Sequence, residues 1–114
     1  MEFIKILEEI PLNCLTMANS KERDVSSACI SDILSDVMAR VPRDAIWITN
    51  QAHENVIAIA FFKELTAVIF TNGAVPAMDA IDKANIKKIA LYSCDQNAFD
   101  IAGRLYALGL RGSN

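Results

Sequence analysis

The densest reactive chemistry in this chain lies in Thr49-Asn50-Gln51-Ala52-His53-Glu54-Asn55. The stretch holds the only histidine and four hydroxyl or amide side chains within seven residues. It follows the apolar Ala45-Ile46-Trp47-Ile48 and precedes the apolar run from Val56 to Ala60, so it forms a polar turn between two core segments. Two other turns share its character, Thr71-Asn72-Gly73-Ala74 and Ser93-Cys94-Asp95. Hydroxyls, amides and an imidazole at helix starts can hold an anion, because the first N–H groups of a helix are unpaired and its dipole is positive there. The expected ligand-binding residues are therefore Thr49, Gln51, His53, Asn55, Thr71, Asn72, Gly73 and Ser93. The same residue types are also ordinary caps and turn formers, a role that competes with ligand binding at each position.

Templates for bond breaking fare worse. His53, Ser93 and Asp95 make a Ser–His–Asp set on paper, but no GxSxG elbow supports it. There is no GxxxxGK(S/T) phosphate loop, no GxGxxG, and no matched pair of carboxylates. No catalytic residue is expected. Cys14, Cys29 and Cys94 are odd in number, form no CxxC and have a single histidine beside them. That set builds neither a zinc site nor a four-cysteine iron–sulfur cluster from one copy of the chain. They are expected as reduced apolar fillers, and no metal or resident cofactor is expected. A phosphate or nucleotide-like group is the ligand class that the polar turns suit.

These turns need rigid elements to hold them. Phe3, Ile4, Leu7 and Ile10 recur at helical spacing, and Pro11 ends that segment. Leu12–Met17 and Val25–Ile30 read as short strands joined by about seven polar residues, which predicts an antiparallel pair. Ser31-Asp32 looks like a helix start, with the Asp32 carboxylate as cap and Ile33, Leu34, Val37 and Met38 on the inner face. Asp36 and Arg40 can pair on its outer face, and Pro42 stops it.

Ile46–Thr49 is a strand. The apolar run from Val56 to Phe62 has no decisive period, so a hairpin partner and a buried helix both fit. Ala58, Ala60 and the polar ending Lys63-Glu64 favour the helix. Ala67–Thr71 is the next strand, followed by an Asn72-Gly73 turn. Pro76 suits the first turn of a helix with Ala77, Met78, Ile81 and Ala84 inward. Ile89–Tyr92 is a strand, and Ser93 or Asp95 is expected to cap a last helix with Ala98, Ile101, Ala102, Leu105 and Leu108 on one face. Gly109 ends it, and the tail at 110–114 is expected to fray.

Three strand–turn–helix units in a row predict a parallel sheet. The expected fold is a single α/β domain over residues 1–114, with about three parallel strands and an appended helix and strand pair. A hydrophobic share of 53% supplies a core, and a net charge of −3 opposes nucleic-acid binding. Lys83, Lys87 and Lys88 form the only basic cluster, read as a solvated helix end. No stretch reaches the roughly 18 apolar residues of a membrane span, and Met1–Lys5 does not read as a signal peptide. The expected location is cytoplasmic.

The order of motifs resembles the DRTGG domain. The resemblance rests on Arg23-Asp24-Val25, on Ser31-Asp32-Ile33-Leu34-Ser35-Asp36-Val37-Met38-Ala39, and on Trp47-Ile48-Thr49 with Gln51, His53 and Asn55. Thr71-Asn72-Gly73 and Phe99-Asp100-Ile101-Ala102-Gly103-Arg104-Leu105 continue it, from about residue 3 to residue 110. The name-giving residues are not literally present. Glu22-Arg23-Asp24-Val25-Ser26-Ser27 stands nearest, with serines where glycines are expected.

The resemblance implies a fold similar to the N-terminal domain of HPr kinase/phosphorylase, without a kinase loop, and a helix over 54–64. It also implies a regulatory setting. Such domains accompany phosphotransacetylase-like proteins and regulated pyrophosphatases, beside adenine-nucleotide-sensing modules and at dimer contacts. Free-standing copies lie near iron-only hydrogenase genes, sometimes labelled as iron–sulfur proteins. The expected function is a non-catalytic module, a homodimer that binds a small anion or a partner enzyme. The alternatives are a hydrogenase accessory protein and, more remotely, an acyl- or phosphoryl-transfer enzyme.

Overall fold

The computed structural model describes residues 1–113. In chain order its elements are α1 (Phe3–Glu9), β1 (Asn13–Cys14), β2 (Ala28–Ile30), α2 (Leu34–Arg40), β3 (Ile46–Thr49), α3 (Glu54–Phe62), β4 (Ala67–Phe70), α4 (Met78–Lys87), β5 (Leu91–Ser93) and α5 (Ala98–Ala107). The strands form one sheet in the order β1-β5-β4-β3-β2. β2, β3, β4 and β5 are parallel, and β1 joins the β5 margin antiparallel. The expected α/β class is the observed one, with four parallel strands rather than about three.

Period-two alternation divides the core between two faces. Ile46, Ile48, Ile69 and Tyr92 pack with Phe3 and Ile6 of α1 and with Ile101 and Leu105 of α5. Trp47, Val68, Phe70 and Leu91 face the other way, against Val37 of α2, Val56 and Ala60 of α3 and Ala80 and Ala84 of α4. Every residue of β3, β4 and β5 is buried, as expected of parallel strands covered on both sides. Each large aliphatic side chain so buried contributes about 1.5–3 kcal/mol.

The segment over 56–62 is helical, which removes the hairpin reading. Its missing period has a simple cause: Val56, Ile57 and Ala60 face the core while the equally apolar Phe61 and Phe62 face outward. The inner faces of two other helices are narrower than expected. In α2 only Val37 is buried, with Ile33 and Met38 exposed. In α4, Ala80 and Ala84 point inward, and Met78 is exposed. Gly109, at φ 108°, follows the end of α5 in the conformation that glycine permits.

The two N-terminal strands do not pair with each other; they lie at opposite margins of the sheet. The segment after β1 is captured by β5, through Leu15 N–H to Leu91 C=O at 2.8 Å and Leu91 N–H to Thr16 Oγ1 at 3.1 Å. β2 is captured by β3, with Ile46 N–H donating to Ser27 C=O at 2.9 Å. Nothing local in two short strand-like runs specifies which neighbour each meets, because register is set by distant faces. The tail is also more ordered than expected. Leu110 is buried, Gly112 bridges Ala28, and Ser113 N–H donates to Ala28 C=O at 2.8 Å, while Asn114 lies outside the described residues.

Tyr92 ties the β1 side together. Its ring meets Phe3 edge-on at 5.2 Å, and its hydroxyl donates to Asn19 C=O at 2.6 Å. Burial, reinforced by the neighbouring Cys14, pushes its phenol well above the ordinary value of 10.0. A raised folded-state value means that this contribution is complete below about pH 10 and is lost as pH rises toward the folded value. Denaturant unfolding at pH 8 and about pH 11 is therefore expected to show a shallower alkaline loss of stability for Tyr92→Phe than for the parent. At pH 8 the variant is expected to be destabilised by about 1 kcal/mol. Equal alkaline slopes would contradict this assignment.

Candidate functional site

Because β2 to β5 are parallel, their carboxyl ends share one sheet edge. That edge receives Ser31-Asp32 after β2, the 49–55 turn after β3, the 71–73 turn after β4 and Ser93–Asp95 at the end of β5. Such an edge is where open α/β sheets gather ligands. Backbone bonds knit the turns together. Thr71 N–H donates to Thr49 C=O at 3.2 Å, Gly73 N–H to Cys94 C=O at 2.8 Å, and Asn72 N–H to Gln96 C=O at 3.0 Å. Asn72 and Gly73 both take positive φ, 56° and 72°, which the asparagine–glycine pair tolerates.

Asp32 was expected to cap α2. Instead its Oδ1 accepts from Thr49 Oγ1 at 2.7 Å and from Asn50 N–H at 2.8 Å, so the carboxylate closes the end of β3. The start of α2 has no side-chain cap at Ile33; Ser31 Oγ accepts the Ile33 N–H at 3.0 Å. Thr49 is buried and its hydroxyl is fully engaged, because Oγ1 also accepts from Gln51 N–H at 3.1 Å. His53 caps α3, its Nδ1 accepting the Asn55 N–H at 3.1 Å, which leaves Nε2 as the protonated nitrogen of the neutral ring. The cap of α5 is Asn97 rather than Ser93 or Asp95, with Oδ1 accepting the Asp100 N–H at 2.9 Å. Pro76 precedes α4, whose N-cap is Ala77.

The expected site residues thus divide by environment. Thr49, Thr71 and Ser93 are buried, and Thr49 is spent on the turn itself. Gln51, His53, Asn55, Asn72 and Gly73 are exposed. The side chains of Gln51, Asn55 and Asn72, with His53 Nε2, make no hydrogen bond to other described residues. Asn55 borders a hollow of about 190 Å³ between α3 and α4, with Glu54, Ile86 and Lys83; the Lys83 ammonium is 2.7 Å from the Glu54 carboxylate. β4 lies between β3, which His53 follows, and β5, which Ser93 ends; His53 Nδ1 is occupied by the Asn55 N–H, and no hydrogen bond joins His53 to Ser93 among the described residues. Cys29 and Cys94 pack on opposite faces of the sheet, and burial raises both thiols above their ordinary value.

The Arg23-Asp24 stretch sits at the opposite, amino edge. Arg23 donates to Leu65 C=O at 2.9 Å, Glu64 C=O at 3.0 Å and Asp44 Oδ1 at 2.7 Å. Asp44 and Glu64 both hold left-handed φ, 65° and 52°, so this arginine clamps the two turns that enter β3 and β4. Its role is structural.

A larger hollow, about 560 Å³, runs along the open margin of β2 between α2, α5 and the tail. Sequence reading missed it. Its walls come from five separate segments, and one of them is the tail expected to fray.

No protein-family model matches the chain, and none of the curated proteins matches it. Among solved structures the fold is similar to the CBS and DRTGG domains of the regulatory region of Clostridium perfringens pyrophosphatase, complexed with the activator diadenosine tetraphosphate. The TM-score is 0.71 at 12% identity, over 91% of this chain. The chain spans 45% of that structure, and at this identity the likeness shows a shared fold.

The Asp32 bracket gives a direct test. Asp32→Ala is expected to cost about 1–2 kcal/mol in denaturant unfolding and to speed amide exchange at Asn50 and Gln51. Asp36→Ala, which removes only the exposed pair with Arg40, is expected to cost less than about 0.5 kcal/mol. Equal costs would mean that the bracket does not hold the turn.

Proposed function

We propose that this chain is a non-catalytic regulatory module that binds a small anion of the nucleotide or phosphate class at the carboxyl edge of its sheet. The observation that carries the reading is the convergence of the 49–55, 71–73 and 93–95 turns on that edge, with polar groups to spare. Thr49, Thr71, Ser93 and Gly73 form the frame. Gln51, His53 Nε2, Asn55 and Asn72 supply the donors, and Lys83, paired with Glu54, lies beside Asn55. Asp32 and Asp95 border the same edge, so neutral donors rather than ion pairs do the recognising. The shared fold with a regulatory region that holds a nucleotide activator supports this reading.

The module acts as a homodimer, or docks on a partner enzyme, through the α3–α4 face. There Phe61, Phe62 and Ile86 are 49%, 63% and 78% exposed, an apolar surface of the kind that subunit contacts cover.

Thermal unfolding with inorganic phosphate, adenine mononucleotides and adenine dinucleotides tests the ligand. A binder specific to the folded state adds about 2.7 kcal/mol at a hundredfold excess over its dissociation constant. The shift is expected to disappear in Gln51→Ala and His53→Ala. A flat panel would overturn the ligand and leave the partner enzyme as the module's target. Sedimentation is expected to show a dimer that Phe62→Glu converts to monomer, and a monomeric parent would overturn the homodimer.

A further inference from the structure

The hollow along β2 has features of a binding site separate from the carboxyl edge. Its volume, about 560 Å³, lies in the range of small-molecule sites. Its walls are mostly apolar, from Ile48, Leu105, Leu110 and Val41. Two cations border it, and they are in different states. Arg40 is neutralised, its Nε and Nη2 each 3.0 Å from a carboxylate oxygen of Asp36.

Arg111 has no carboxylate partner among the described residues. Its guanidinium lies 3.7 Å from the centroid of the Tyr106 ring, and Nη1 donates to Tyr106 C=O at 3.2 Å and Leu110 C=O at 3.0 Å. Stacking and these two bonds fix the plane of the group. Among the described residues the Nε–Nη2 fork has no partner, and that edge is the one that matches two oxygens of an acid.

The backbone adds a third group. Along β2, Ser27 C=O and Ser31 N–H bond to β3, so the N–H and C=O of Ile30 point to the open margin. The tail covers this margin only at Ala28, through Arg111 C=O and Ser113 N–H.

We propose that this hollow binds a small organic monocarboxylate, with the acid on the Arg111 fork and an apolar body along Leu105 and Leu110. Charge decides the occupant. The Asp36–Arg40 pair is neutral, so among the described residues the hollow carries one uncompensated positive charge, beside walls that reward an apolar body and not a polyanion.

Calorimetric titration with octanoate, and with octanol as its neutral counterpart, tests the assignment. Octanoate is expected to bind and octanol to bind at least about tenfold more weakly. Arg111→Gln is expected to weaken octanoate by a similar factor and leave octanol unchanged. Because Arg111 also anchors the tail, a second variant, Ala102→Phe, fills the hollow from α5 and is expected to abolish octanoate binding with Arg111 intact. Absence of octanoate binding, or binding indifferent to both variants, would overturn the proposal. So would a short extended peptide with a free carboxyl terminus binding where octanoate does not, since the margin would then be a strand-pairing site.

Discussion

Burial of the parallel strands on both faces is the constraint from which the rest follows. With every residue of β3, β4 and β5 in the interior, the sheet carries only polar groups that find partners, as those of Trp47, Thr49 and Tyr92 do. A buried polar group without a partner costs too much. Chemistry is confined to the two strand-end edges and to the margins, and the molecule treats these differently.

At the amino edge the polar groups serve one another. Arg23 spends its donors on the turns into β3 and β4, and Thr66, fully buried, donates its hydroxyl between Asp24 C=O and Asp44 C=O. The serines that stand where the resembled family has glycines also have partners. Ser26 Oγ donates to Arg43 C=O at 2.9 Å, and Ser27 Oγ lies 2.6 Å from Ser113 Oγ. These bonds occupy the polar groups named, although hollows of about 540 Å³ and 390 Å³ border the same edge. The carboxyl edge is different: Asp32 and Thr49 fix the turn, and the amides and imidazole beyond them remain available. A rigid frame with spare donors is the arrangement that small-ligand recognition uses.

Much of this was legible in the sequence, where local chemistry decides. Ala58 and Ala60 mark a helix, and Ile46–Thr49 and Ala67–Thr71 mark strands, the second of which ends one residue earlier, at Phe70. The polar turns were found because Thr, Asn, Gln and His cluster between apolar runs. What was not legible depended on distant partners. The pattern of Leu12–Met17 says strand but cannot say that β5 will hold it. Asp32 looked like a cap for the next helix, because nothing local reveals that Thr49 arrives within 2.7 Å. The tail looked free, since a one-residue bridge to Ala28 has no sequence signature.

We propose that the carboxyl edge, and not the amino edge, receives a ligand. Backbone amide chemical shifts recorded during titration with inorganic phosphate and with an adenine mononucleotide test it most directly. Perturbations are expected to concentrate at Asn50–Asn55 and Asn72–Gly73, with the Arg23, Asp44 and Glu64 amides unchanged. Perturbations centred on the Arg23 clamp, or none at saturating ligand, would contradict it.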